Sequence, residues 1–193
     1  MIEVRAVAVI GAGPLGRGIA HAAALGGYRT ILEDLLPNAL RKAETEIRAT
    51  LDRSVEFGVV DAAEANAAFS RIEYAGSVDE AAREADFVIE AVPDELESKL
   101  EIFTMLDKFC RPATIFAATI PLSNTSSLSV TEIAAVTYRP KKCVGLRFLQ
   151  SVHKMKVLEI VRSLYTDGET LAAVVDVGKR MGKEVVVTQE LSG

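Results

Sequence analysis

The residues whose types and spacing could do chemistry begin with a glycine-rich stretch near the amino end of the chain. Gly11, Gly13 and Gly16 stand in the GxGxxG spacing, with Pro14 and Leu15 between them. The first glycine permits a tight turn from strand to helix, the second lets the backbone approach a phosphate, and the third permits close helix–strand packing. This spacing predicts that a dinucleotide pyrophosphate binds at a helix amino terminus, with all five residues in the cofactor site.

An acidic residue follows at the distance that a ribose would need. Asp34 lies 23 positions after Gly11, at the end of the next apolar run. A carboxylate there accepts hydrogen bonds from the ribose hydroxyls and repels a 2′-phosphate. Because Leu35 and Leu36 come next rather than arginine, the pattern favours NAD over NADP. The alternative interpretation is a tight strand-to-helix turn with no ligand.

Apolar runs alternate with helical patterns through the rest of the chain. Strands are predicted at residues 7–10, 29–32, 71–74, 86–92, 113–117, 142–148, 156–161 and 185–187. Helices are predicted after the glycine motif and at residues 37–57, 61–69, 78–84, 94–109, 130–135 and 168–181, with a loop at 118–127. The predicted fold class is α/β: a Rossmann-type, doubly wound, mostly parallel sheet with a reversed edge strand and a helical hairpin inserted after the second strand. The hairpin either packs on the sheet face or has a further role.

Composition narrows the class of protein. The 193 residues suit one domain, and an apolar fraction of 49% with 25% charged residues is ordinary for a soluble globular protein. A net charge of −5 gives no general attraction to nucleic acid or to an anionic membrane. No signal peptide, membrane span or metal-ligand cluster is indicated. Cys110 and Cys143 are interpreted as isolated core residues in a reducing compartment, and the expected location is cytoplasmic.

Four segments together resemble a known family. They are "GAGPLGRGIA", "DFVIEAVPDELESKLEIF", "SNTSSLSVTEIA" and "VGLRFLQSVHKMKVLEIV", and they resemble the NAD-binding domain of the L-3-hydroxyacyl-CoA dehydrogenases over residues 7–187. The resemblance implies a fatty-acid oxidation enzyme that passes hydride from the 3-hydroxyl of an acyl-CoA to NAD. In the family, a histidine in a His-Phe-Phe-Asn-Pro segment is the general base, and a glutamate on the next strand holds it.

The cofactor half of the family pattern is matched position by position. The resemblance implies cofactor contacts at Gly11, Gly13, Gly16, Asp34, Asp94 (a glutamate in the family) and Lys99, with Asn124 also placed in the cofactor site. It implies that Ser126 hydrogen-bonds the substrate and that Glu159 is the orienting glutamate.

The segment that carries the general base in the family differs in this chain. The base-bearing segment reads Arg147-Phe148-Leu149-Gln150-Ser151, so the histidine position is occupied by Arg147. A guanidinium stays charged at any working pH and cannot accept the hydroxyl proton. We expect Arg147 to pair with Glu159, since a paired carboxylate leaves no buried unpaired charge; the alternative is that Arg147 points to solvent. Of the two histidines, His153 is a weak candidate base, and His21 is expected at the surface or in an interface.

Two further departures concern the substrate site. About five residues near 118–122 are inserted before the Ser126 loop, where they would displace that serine or fill the cleft. Residues 1–193 are expected to form one NAD-binding domain without the family's carboxyl-terminal helical domain, which leaves an exposed apolar patch along the last helix and strand. Thr50 falls where the family has a serine near CoA, but Phe57 replaces a lysine there.

Two interpretations of function remain open at this point. In the first, the chain is a hydroxyacyl-CoA dehydrogenase-type oxidoreductase, weak or inactive alone or acting on another substrate. In the second, it binds NAD without turnover, as a pseudoenzyme, redox-state sensor or assembly subunit. The expected partners are an acyl-CoA-like small molecule and further copies of the chain, with no nucleic acid or membrane.

Overall fold

The computed structural model describes residues 1–93, 95–122, 128–148 and 156–190. The strands are β1 (Ala6–Ile10), β2 (Arg29–Glu33), β3 (Ile72–Ala75), β4 (Phe87–Glu90), β5 (Ile115–Thr119), β6 (Cys143–Phe148), β7 (Val157–Arg162) and β8 (Glu184–Gln189). The helices are α1 (Pro14–Leu25), α2 (Pro37–Glu56), α3 (Ala62–Ser70), α4 (Val78–Ala82), α5 (Leu96–Phe109), α6 (Val130–Ala135) and α7 (Gly168–Arg180), with a 3-10 turn at Pro140–Lys142. Within these ranges, no helix combines the length and the apolar character needed to cross a bilayer.

A single sheet connects the described strands in the order β3-β2-β1-β4-β5-β6-β7-β8. All pairs from β3 to β6 are parallel. Strand β7 runs antiparallel to β6, and β8 runs parallel to β7. The predicted Rossmann-type fold class is confirmed. A reversed edge strand was predicted, and the structure has two reversed strands: both β7 and β8 run opposite to the other six.

The two faces of the sheet carry separate apolar cores. Val7 and Val9 of β1 belong to the core that includes residues of α1, α2, α3 and α7. Ala8 and Ile10 belong to the core that includes residues of α4, α5 and α6. Successive side chains of a strand point to opposite faces, so helices cover both sides of the sheet. Burial on both faces explains why the predicted strands read as continuous apolar runs rather than as alternating patterns.

The helical hairpin predicted after the second strand is formed by α2 and α3, which lie against α1. Ala43, Ile47 and Leu51 form the buried stripe of α2. Asp61 caps α3 in a capping box with Glu64, which satisfies backbone donors at the start of that helix. The stripe on α2 is therefore a packing face, which agrees with the interpretation that the hairpin packs on one side of the sheet.

The prediction of a loop at residues 118–127 is wrong at its start. Ala118 and Thr119 belong to β5 and pair with Gly145 and Leu146 of β6. The polar character of this stretch indicated a loop, but the parallel neighbour supplies backbone partners that extend the strand. Residues 123–127 lie outside the described ranges.

Candidate functional site

The glycine motif forms the turn from β1 into α1. Gly11 has φ of +105°, and a Cβ there would lie 2.8 Å from the Ala91 carbonyl oxygen. A Cβ on Gly16 would lie 1.7 Å from the Gly11 carbonyl oxygen, so only glycine lets α1 approach the turn. Gly13 differs, because a Cβ there would meet nothing within 4 Å. The three glycines thus have the geometry that the sequence predicts, with open space at the middle one.

The open space at Gly13 fits a pyrophosphate. Gly13 is the residue before α1, and no side chain caps that helix. Pro14 is its first residue, and Leu15 lies in the first turn. Amide groups at an uncapped helix start bind anionic oxygens, and the helix dipole favours negative charge there. The residues present therefore fit the phosphates of a dinucleotide.

Asp34 lies where β2 ends, close to the glycine turn. Its carboxylate accepts hydrogen bonds from the Ala12 amide at 3.0 Å and from the Leu36 amide at 2.9 Å. Each carboxylate oxygen has a second acceptor position, so the group retains capacity for two ribose hydroxyls. The two backbone donors fix the side chain beside the turn, in the arrangement that ribose recognition requires.

Glu33, the residue before Asp34, is a buried acid whose role the sequence did not indicate. Its side chain is almost fully buried, and Oε1 has no hydrogen-bond partner among the described residues. Burial raises the pKa of the Glu33 carboxyl to about 7, and the charge of Asp34 adds to the rise, while the Gly11 amide opposes it. A carboxyl that is about half protonated near neutrality therefore lies next to Asp34 at the predicted cofactor site.

Lys99 is enclosed inside the molecule. Its ammonium donates to both Glu90 carboxylate oxygens at 2.8 Å and to the Thr119 carbonyl at 3.1 Å. Neither side chain of the Glu90–Lys99 pair has any exposed surface. The pair ties the ends of β4 and β5 to α5. The predicted contact of Lys99 with the cofactor stays a prediction, as does that of Asp94, which lies outside the described residues.

Arg147 and Glu159 face each other across the antiparallel β6–β7 pair. Arg147 Nη1 donates to Glu159 Oε2 at 2.7 Å, so the predicted contact is confirmed. Arg147 Nε donates to the Pro121 carbonyl oxygen at 3.3 Å, and Thr188 donates to Glu159 Oε1 at 2.7 Å. Partial burial raises the pKa of Glu159, but hydrogen bonds from Arg147 and Thr188 hold it below its usual value. Each oxygen of the Glu159 carboxylate thus accepts one of these hydrogen bonds.

Part of the segment near residues 118–122 pairs with β6 and packs into the protein interior. The Ile120 amide donates to the Leu146 carbonyl at 2.9 Å, and its side chain forms a small core with Val130 and Val161. Gly145 makes room for it, since a Cβ there would lie 2.2 Å from Ile120 Cδ1. Ile120 therefore fills space on the face that carries Arg147.

Several predicted residues cannot be placed. Ser126, Asn124 and His153 lie outside the described residues, so their roles stay predictions. His21 is buried in α1, which makes the expectation of a surface position wrong; the small residues around it on α1 let the helix pack closely, and that encloses the imidazole.

Other residues of the site were not found from the sequence. The contact of Thr188 with Glu159 depends on the β7–β8 register, and that of Pro121 with Arg147 depends on how the chain leaves β5. Neither has a local sequence signal. Glu90 ends β4, and Lys99 lies nine residues later in α5. An acid at the end of an apolar strand is the sequence signal that could have indicated their pairing.

Comparisons with known proteins agree with this geometry. Residues 6–191 match the family model described as 3-hydroxyacyl-CoA dehydrogenase, NAD binding domain. The probable 3-hydroxybutyryl-CoA dehydrogenase of Bacillus subtilis is 38% identical over 192 residues, covering all of this chain and 65% of the relative. The mitochondrial hydroxyacyl-coenzyme A dehydrogenase of Sus scrofa is 34% identical, covering all of this chain and 61% of the relative.

A solved structure gives the same result. The crystal structure of (S)-3-hydroxybutyryl-CoA dehydrogenase from Ralstonia eutropha superposes with a TM-score of 0.90 at 31% identity, covering 98% of this chain and 65% of that one. The chain thus spans somewhat less than two thirds of the length of these relatives. It belongs to the 3-hydroxyacyl-CoA dehydrogenase family, and it corresponds to that family's NAD-binding domain.

Proposed function

We propose that this chain holds NAD(H) over the Gly11–Gly16 turn and has little or no 3-hydroxyacyl-CoA dehydrogenase turnover of its own. The observation that carries the proposal is the 2.7 Å ion pair of Arg147 with Glu159, at the position where the family has its general base. The relatives named above act on hydroxyacyl-CoA substrates by name, and an acyl-CoA-like molecule is the corresponding candidate ligand here.

The binding half rests on the space at Gly13 and on the acid beside the turn. An open position before an uncapped helix suits a pyrophosphate, and Asp34 is held within reach of the same turn. Pro14, Leu15 and Gly16 complete the turn, and Asp94, Lys99 and Asn124 are proposed as further cofactor contacts.

The loss of turnover rests on proton chemistry. Oxidation of a 3-hydroxyl needs a group that takes up the hydroxyl proton, and a guanidinium cannot do so. Removal of a general base lowers the rate by roughly 10²- to 10⁴-fold. Glu159 is engaged by Arg147 and Thr188, and Ser126 is the proposed substrate contact.

The cofactor site is tested with two matched glycine substitutions. In Gly13→Ala, the new methyl group meets no protein atom within 4 Å but intrudes where the pyrophosphate would lie, so we expect a stable protein with at least tenfold weaker NADH binding. Gly168→Ala makes the same change at the start of α7, also in open space, and should leave NADH affinity unchanged. NADH fluorescence titration measures both. Equal affinity in the two variants, or no NADH binding by the unmodified chain, contradicts the proposal.

The missing base is tested by NADH consumption with acetoacetyl-CoA. We expect the unmodified chain to bind NADH without measurable consumption. Arg147→His restores a titratable group beside Glu159, and a rise in rate would show that the base was the limiting defect. Rapid turnover by the unmodified chain would instead support the first interpretation, an active dehydrogenase.

Cytoplasmic location, a role in fatty acid metabolism and association into oligomers are part of the same proposal. They rest on the family relationship and on the exposed apolar side chains of β8, Val186 and Val187. Cell fractionation and light scattering test the first and the last of these.

A further inference from the structure

We propose that Arg147 is an anion-recognition residue, and that the site beside it takes a small molecule with a free carboxylate, such as an oxo or hydroxy acid. This inference rests on the NAD(H) binding proposed above, and it replaces the acyl-CoA-like molecule with a small acid as the candidate second ligand. It goes beyond a purely structural ion pair, in which Arg147 would only neutralise Glu159.

The guanidinium is fixed on one side and has unused donors on the other. Of its five N–H groups, one on Nη1 donates to Glu159 and the one on Nε donates to the Pro121 carbonyl. Toward the described residues, Nη2 and the second Nη1 hydrogen make no hydrogen bond. The side chain retains 26% of its exposed surface. A guanidinium held in this way presents a planar pair of donors that matches the two oxygens of a carboxylate.

The position of Arg147 in the sheet is that of a ligand-binding residue. The pairings place Ile10, Glu90, Ala118 and Gly145 in one row across four strands. Arg147 lies two residues beyond that row, at the same carboxyl edge as the Gly11 turn. Strands β1 and β6 are three spacings apart, or about 14 Å. Open α/β sheets bind their ligands at this edge.

The surroundings of Arg147 favour a small acid over an uncharged acyl group. Ile120, within the inserted segment, is buried against Val130 and Val161 on the same face of the sheet. The Pro121 carbonyl, one residue later, contacts the guanidinium itself. The insertion thus takes up space beside Arg147, and the charged donors that remain have no counterpart in a thioester. A carboxylate both fits a smaller space and supplies the missing acceptor.

The experiment compares acetoacetate with ethyl acetoacetate, which has the same 3-oxo group but no charge. Calorimetric titrations are run on the whole chain, with and without saturating NADH. We expect acetoacetate to bind at least tenfold more tightly than the ester. Equal affinity for the two compounds, a preference for the ester, or no binding of acetoacetate overturns the inference.

Variants separate recognition from folding. Arg147→Gln/Glu159→Gln leaves no unpaired buried charge and should lose the preference for acetoacetate. Glu159→Gln removes the neutralising carboxylate and should tighten acetoacetate binding severalfold, whereas a merely structural pair predicts no gain. Arg83→Gln, which removes an exposed guanidinium paired with Asp79, is the matched control and should bind like the unmodified chain. NADH affinity is measured separately, so failure of the cofactor proposal and failure of this one are distinguished.

Discussion

At the scale of the residue, Glu33 is a buried acid whose protonation is coupled to stability. Its side chain is 3% exposed, and burial together with Asp34 raises its pKa to about 7. An unfolded glutamate has the ordinary value of 4.5. The folded protein therefore holds this proton more tightly than the unfolded chain does. The contribution of protonated Glu33 to stability is complete below pH 4.5 and is lost as the pH rises through 7.

We expect the free energy of unfolding to fall between about pH 5 and 7 and then to level off. The pKa rises by about 2.5 units, and one unit corresponds to about 1.4 kcal/mol, so the fall is on the order of 3 kcal/mol. Glu33→Gln cannot ionise and should lack this fall, which urea unfolding at a series of pH values measures. Glu73→Gln is the control, because the exposed Glu73 pairs with Arg29 and its lowered pKa lies outside this range. An unchanged pH dependence in Glu33→Gln would refute the assignment.

The contacts and burial of single residues could be predicted from the sequence to different extents. The contact of Arg147 with Glu159 was predictable, because the family pattern places them opposite each other on neighbouring strands. The roles of the three motif glycines were predictable because each follows from backbone geometry alone. The burial of Glu33 was not, since two adjacent acids at a strand end give no sign of which one faces the core. The contact of Thr188 depends on strand register, which no local pattern encodes.

At the scale of the element, the Glu90–Lys99 pair joins β4, β5 and α5 at the carboxyl edge of the sheet. Lys99 projects from α5, and its ammonium bridges Glu90 of β4 and the Thr119 carbonyl of β5. A fully buried pair of this kind positions elements relative to each other. Removal of one partner leaves an uncompensated charge in the core, which is far more costly than removal of both.

Lys99→Met should therefore destabilise the protein by about 3–5 kcal/mol. Glu90→Gln/Lys99→Met removes both charges and should recover much of that loss. Urea unfolding measures both, and Arg83→Gln, which breaks an exposed pair, should unfold close to the unmodified chain. NADH titration of the folded double variant also tests the predicted contact of Lys99 with the cofactor. A single variant as stable as the unmodified chain would contradict a positioning role.

Strands and helices were predictable where periodicity or capping was strong. Helix α6 has its predicted bounds, Val130–Ala135, and the Ser129 side chain accepts from the Glu132 amide to cap it. The end of β5 was not predictable, because Thr119 and Ile120 pair with β6 only through a long-range contact. Helix α5 begins at Leu96 rather than near residue 94.

At the scale of the whole molecule, the sheet ends in an apolar edge. The prediction of an exposed patch is correct for β8, where Val186 is 46% and Val187 42% exposed. It is wrong for most of α7, because the helix packs back onto the sheet: Val174 and Val177 are buried, and Leu171 and Val175 are partly buried. The outer edge of β8 pairs with no other strand in the described part of the chain. Such an edge is a template for pairing with another chain.

We therefore expect concentration-dependent association of this chain, and we expect it to depend on β8. Val186→Lys places a charge on the exposed edge strand, where lysine opposes strand pairing, at little cost to folding because the side chain is half exposed. Light scattering across a range of concentrations should show the variant as a monomer where the unmodified chain associates. Val136→Lys changes a similarly exposed valine just after α6 and controls for added charge. Association that persists in Val186→Lys, or that Val136→Lys also abolishes, would assign the contact to another surface, since only pairing at β8 makes the response specific to that strand.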